Sequence, residues 1–222
     1  MPLPSLAAVL FGVMLLAAPQ PPTTASPDAF AAALQQQYDT VHTLTADFTQ
    51  TYTGGVLHKT ITERGHVDIK KPGKMRWEYE KPEHKLFVSD GVKIYSYVPA
   101  DRQVIVSSVP PNDQASTPTL FLAGKGNLTR DFNASFTTWP GAPDGAVALK
   151  LTPKHPQRDY DWLVLVVDRQ TLELRILGTQ DLEGGMSAIS FAHLKENVDL
   201  PDRLFAFTIP PGVDVVHQTP SR

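Results

Sequence analysis

The sequence predicts a mainly β fold, an antiparallel sheet that curls into an incomplete barrel with short helices over one face, and three observations predict it. From Leu44 onward, apolar and polar residues alternate with period two in segments that recur roughly every nine or ten residues, the beat of an antiparallel sheet that bends or closes. Asp90–Gly91 stands between two such segments, a strong signal for a hairpin turn. The beat breaks only once, at "VPPNDQASTPTLFLAGKGNLTRDF", where a short apolar run fits a helix laid over the sheet.

The elements follow in order. The first 25 residues carry no charged side chain, and their small or apolar run, Leu6 to Ala18, is too short to cross a bilayer of ~30 Å. It reads as a cleavable export signal ending near Ala25, although no Lys or Arg precedes the run. Residues 26–222 then form one domain. Ser26 caps a helix with Pro27 at its first position. Phe30, Leu34, Tyr38 and Val41 recur at helical spacing, with Gln35, Gln36 and Asp39 around the other side. This first helix is expected over about 27–42.

Strands follow at "LTADFTQTY", "TERGHVDIKK", "MRWEYE", "HKLFVSD", "VKIYSYV" and "RQVIVSS". Lys71–Pro72–Gly73–Lys74 suits a type II turn. A second short helix is expected over about 116–124, started by Ser116 and ended by Gly124 and Gly126. Strands resume from "DFNASFT" to "SAISFAHLKEN", and the chain closes with "FAFTIPPGVDVV".

Charge and motifs exclude several classes of function. Lys plus Arg number 20 against 23 acidic residues, a net charge of -3, so no global positive field exists for a phosphate backbone. The densest basic stretch, "KKPGKMRWEYEKP", segregates its charges from its aromatics. On a strand, Met75, Trp77 and Tyr79 share one face, while Lys74, Arg76, Glu78 and Glu80 share the other. A base-stacking platform interleaves cations with aromatics. No nucleic-acid partner is therefore expected.

The seven histidines form no H-E-x-x-H pair, no G-x-S-x-G elbow appears, and "GKGN" lacks the length of a P-loop. The chain has no cysteine, which removes disulfides, thiolate metal sites and an acylated lipobox. Neither enzyme chemistry, a cofactor nor a metal is expected.

Phe48, Met75 and Trp77, with Tyr95 and Tyr97, form a larger apolar set than one strand needs. A curled sheet beneath short helices can enclose packed side chains or an apolar ligand, and periodicity does not distinguish the two.

The chain resembles a known family, the periplasmic outer-membrane lipoprotein carriers called LolA. The resemblance rests on "ADFTQ", "KKPGKMRWEY" followed by "FVSDGVKIYSYVP", "TPTLFLA", "LTPK" and "FTIPPGVDV", in that order, over about Leu44 to Val216. It implies an apolar cavity in an incomplete barrel, covered by a lid of helices. It also implies a periplasmic monomer that takes acylated lipoproteins from an inner-membrane ABC transporter and passes them to an outer-membrane acceptor. Such a carrier offsets a membrane affinity of ~0.8 kcal/mol per methylene, on the order of 10 kcal/mol for one chain.

By the same resemblance, Phe48, Met75 and Trp77 line the cavity, Leu120, Phe121 and Leu122 lie on the lid, and Lys71 closes it. Lys71 departs from a familiar family pattern with Arg before this Pro, which bonds lid carbonyls. Either closure is weaker here, or Arg76 or another group shares the task. Met75 is a second departure, since an aromatic can stand there. Two rivals share the fold: an acceptor lipoprotein, which needs the missing lipobox Cys, and an envelope sensor, which carries an extra domain. A non-binding structural β domain is the remaining alternative.

Overall fold

Ser26 accepts a hydrogen bond from the Ala29 amide (3.2 Å) and starts α1, Pro27–Asp39, with proline at a position that has no helical hydrogen bond to lose. The structure, a computed structural model, describes residues 26–56, 58–109, 118–157 and 159–218. The expected export signal and Ser116 lie outside them. α1 stops three residues short of the expected end, yet Val41 beyond it remains buried.

The chain then enters β1 (Thr43–Thr53), β2 (Thr60–Lys70), β3 (Lys74–Lys81), β4 (Lys85–Asp90), β5 (Lys93–Val98) and β6 (Gln103–Ser108). Between β2 and β3, Gly73 has a φ of 77° at the left-handed position expected of a glycine there, and the Lys71–Pro72 peptide is cis. Between β4 and β5, the Asp90 carboxylate accepts from the amides of Val92 and Lys93. Two short helices follow, α2 (Pro118–Leu122) and α3 (Leu128–Asp131). The sequence reading missed α3. Its signal is Asn127, whose side chain accepts from the amides of Thr129 and Arg130, a helix cap.

The second half supplies β7 (Phe132–Thr137), β8 (Ala146–Pro153), β9 (Trp162–Asp168), β10 (Leu174–Gln180), β11 (Met186–Glu196) and β12 (Asp214–His217). All twelve strands belong to one curved open sheet in the order β12-β6-β5-β4-β3-β2-β1-β11-β10-β9-β8-β7. The two halves join where β1 pairs with β11. Every ladder is antiparallel except β12 on β6, which is parallel. That exception follows from the return path: residues after β11 pass across the sheet through a 3-10 turn at Asp202–Phe205 before β12 joins its edge.

The pairing aligns side chains in rows. Ala46, Val67, Trp77 and Phe87 are cross-strand neighbours, as are Leu44, Ile69 and Met75. These rows meet the three helices in the main buried cluster. On the opposite face, Val88, Tyr95 and Val106 form another row. Here Tyr95 and Tyr97 hold the Phe207 ring at centroid distances of 5.3 and 5.8 Å. The sequence reading had placed both tyrosines with Trp77. Strand parity puts them on the other face, where the returning C-terminal segment covers them.

Candidate functional site

The face beneath the helices is the candidate site. β1 and β3 bring Phe48 and Trp77 edge-to-face at 5.1 Å, and Tyr79 meets Phe48 at 4.9 Å. Gly65 makes room for this cluster: a Cβ there would lie 2.9 Å from the tip of Phe48 and 1.9 Å from the Glu78 carbonyl oxygen. Phe191 on β11 extends the aromatic wall, 6.4 Å from Trp77. From above, α2 contributes Leu120, Phe121 and Leu122. All six expected cavity and lid residues fall in one cluster, each 5% exposed or less.

The helices are tied to the sheet by few polar contacts. Lys71 donates from Nζ to the Tyr38 carbonyl (2.5 Å), at the end of α1, and its ammonium lies 3.1 Å over the Tyr38 ring. Burial pulls the Lys71 amine down to about 8, against the opposing pull of the Asp39 and Glu196 carboxylates. The Tyr38 hydroxyl donates to the carbonyls of Phe121 (3.0 Å) and Leu122 in α2, and the Tyr38 and Phe121 rings stack at 5.3 Å. Burial holds that phenol far above its ordinary pKa, so it stays a donor. The Gly73 amide donates to the Ala123 carbonyl (2.7 Å).

Gln35 is a correction. Its helix position suggests solvent, yet it is buried and accepts from the Leu128 amide of α3 (2.8 Å). Arg76 does not join Lys71. It pairs with Glu78 (3.0 Å) on the opposite face. Lys70 and Lys74, two more cations of this stretch, grip Asp202 of the returning segment at 2.7 and 3.0 Å. Of these four cations, Lys71 alone bonds a helix of the cover. Tyr38 and Gln35, the residues that fasten α1 to α2 and α3, were not singled out from sequence, because their partners lie some 80 to 90 residues away.

The interior is closed. The apolar cavity between α1, α2 and the sheet has a volume of about 30 Å³ and is bounded by Leu34, Val41, Leu44, Phe121 and Leu165. That is room for a water, well below the roughly 300 Å³ at which ligand pockets begin. A polar cleft of about 240 Å³ lies along the seam where Tyr38, Asp39, Lys71 and Gly124 meet. Among the described residues, no group of three or more His, Asp or Glu could hold a metal ion. No described helix is long and apolar enough to cross a membrane.

Residues 39–208 match the family described as "Outer membrane lipoprotein carrier protein LolA". The outer-membrane lipoprotein carrier protein of Chromohalobacter salexigens is 33% identical over 190 residues, covering 85% of this chain and 87% of that one. The protein of the same name from Nitrosospira multiformis is 30% identical over 188 residues, covering 84% and 87%. The fold resembles that of an uncharacterized conserved protein from Thermus thermophilus at a TM-score of 0.51, with 12% identity and coverage of 85% and 98%.

Proposed function

We propose, since the chain belongs to the LolA family of outer-membrane lipoprotein carrier proteins, that it is a periplasmic lipoprotein carrier. The helix-covered face of the sheet binds acyl chains, and α1 with α2 and α3 forms a lid. Cargo comes from an inner-membrane ABC transporter and leaves to an outer-membrane acceptor. Its relatives are named as carriers, not enzymes, and transfer of this kind makes and breaks no covalent bond.

The observation that carries the reading is an apolar interior closed by helices that are fastened at their rim by the polar contacts of Lys71, Tyr38 and Gly73. The cavity of about 30 Å³ between α1, α2 and the sheet is too small for an acyl chain, so on this reading cargo enters as the lid lifts. Burial of Leu120, Phe121 and Leu122 stabilises the closed form by roughly 1.5–3 kcal/mol each. Burial of an acyl chain at ~0.8 kcal/mol per methylene replaces the lid's own contacts and offsets what the chain loses on leaving the membrane. The lid's return to those contacts assists release.

The test is retention of a lipoprotein, in acylated and de-acylated form, by the purified protein. Selective retention of the acylated form is expected. Equal retention of both would sink the proposal.

A further inference from the structure

Trp77 is 2% exposed, and its Nε1–H has no hydrogen-bond partner, the one such buried side-chain nitrogen or oxygen among the described residues. Its indole lies among apolar side chains. Phe48 and Phe191 stand against the ring, and its cross-strand neighbours are Val67 and Phe87. An aromatic neighbour offers an N–H at most a weak π contact. Comparable groups among the described residues are paired. The Trp162 indole donates to Gln180 Oε1 (2.7 Å), and within the same apolar cluster the Tyr79 hydroxyl donates to Gln50 Oε1 (2.6 Å). A phenylalanine would supply an aromatic face at position 77 without burying a donor. Leaving a donor unpaired opposes folding, so the closed state tolerates this one at a cost.

The carrier reading supplies a partner. An acyl chain is hydrocarbon except at its linkage, where the ester carbonyl can accept a hydrogen bond but not donate one. The indole N–H is its complement, a donor that cannot accept. A hydroxyl or carboxamide in the same place would bring acceptors that the cargo cannot satisfy. We propose that the Trp77 indole N–H donates to a carbonyl oxygen of the cargo's ester-linked acyl chains, so that the protein recognises the acyl linkage as well as the hydrocarbon. Trp77 lies roughly 13 Å along β3 from Gly73, at ~3.3 Å per residue, and Gly73 is itself bonded to the α2 side of the lid. A chain fixed there by its carbonyl has the wall toward Phe48, Tyr79 and Phe191 for its methylenes.

This inference rests on the carrier reading, and the experiment separates the two. Two probes are used: a diacylglyceryl-cysteinyl peptide with palmitoyl esters and a free amino terminus, and its analogue with both esters replaced by ethers of equal chain length. Wild-type protein should bind the ester peptide roughly two- to tenfold more tightly, the value of one buried hydrogen bond. In Trp77→Phe that preference should vanish while the ether peptide still binds. Equal wild-type affinity for the two peptides overturns the inference and leaves the carrier reading intact. Failure to bind either peptide overturns both.

If Trp77→Phe does not fold, the wild-type indole N–H resonance decides, assigned by comparison with Trp139→Phe and Trp162→Phe. A downfield shift with ester and not with ether supports the contact. The same shift with both peptides, or with neither, overturns it.

Discussion

Lys71 holds the Tyr38 carbonyl with a single ammonium, a contact that can titrate where a guanidinium would stay charged. Burial lowers its amine to about 8 with the helices in place, against an ordinary value near 10.4 in the proposed open form. Closing therefore carries the full cost of desolvating a charge below about pH 8, and that cost is relieved as pH rises from about 8 towards 10.4. Fluorine NMR of a fluorophenylalanine label at Phe121 should show the closed population rising over that interval. Lys71→Arg, charged throughout, should remove this rise. A wild-type profile parallel to that of Lys71→Arg would show that Lys71 does not set the dependence. Gly65 is the second residue that decides locally. A Cβ there meets a backbone carbonyl oxygen at 1.9 Å, so Gly65→Ala must push β2 from β3 and should destabilise the fold by about 1–3 kcal/mol or more in denaturant unfolding.

The lid is short, which makes it separable from the sheet. α2 has five residues and α3 four, too few to be stable alone, so packing, the Tyr38 hydroxyl on α2 and the Gln35 side chain on α3 hold them. Phe121→Ala removes the ring stacked on Tyr38 and a buried aromatic, at a cost of about 3–5 kcal/mol. Amide exchange should quicken in α1 and α2 while β8 to β10 stay protected. Uniform loss of protection would mean that cover and sheet unfold together. The returning C-terminal segment is an element of a different kind. Its Phe205 is fully buried and its Asp202 joins Lys70 and Lys74, so it covers the sheet face opposite the helices. Phe205→Ala should lower stability by about 3–5 kcal/mol and leave the preference for acylated over de-acylated cargo unchanged.

At the scale of the whole molecule, an open twelve-stranded sheet keeps two unpaired edges, β7 and β12, and so can flex where a closed barrel cannot. Ligand binding to the folded state raises stability by about 2.7 kcal/mol at a hundredfold excess over Kd. In a protein of this size that corresponds to a rise in Tm of about 5–11 °C. Acylated cargo peptide should produce such a rise and the de-acylated peptide none. Equal shifts would indicate binding to the peptide rather than to its chains.

Eleven of the strands were legible from alternation and the regular spacing of turns, although β9 is buried along almost its whole length and reads as a continuous apolar run. The Ser26 cap, the Asp90–Gly91 turn and the apolar run at Leu120–Leu122 were legible because each is fixed by neighbours in sequence. The sequence also placed Met75 and Trp77 on one face and the charges of that stretch on the other.

What sequence did not determine depends mostly on partners far along the chain. It did not show that Tyr95 and Tyr97 face away from Trp77, that β12 runs parallel to β6, or that Gln35 is buried against α3. The first follows from the register of the β3–β4 and β4–β5 hairpins, the other two from the path of a distant segment. Nor could it show whether the apolar face encloses a cavity or packed side chains. The tertiary structure shows side chains packed beneath the helices, with a cavity of about 30 Å³ between α1, α2 and the sheet, because filling that space depends on how the helices settle on the sheet. The unpaired indole N–H of Trp77 is decided there too, since a missing partner is visible only when every neighbour has been placed.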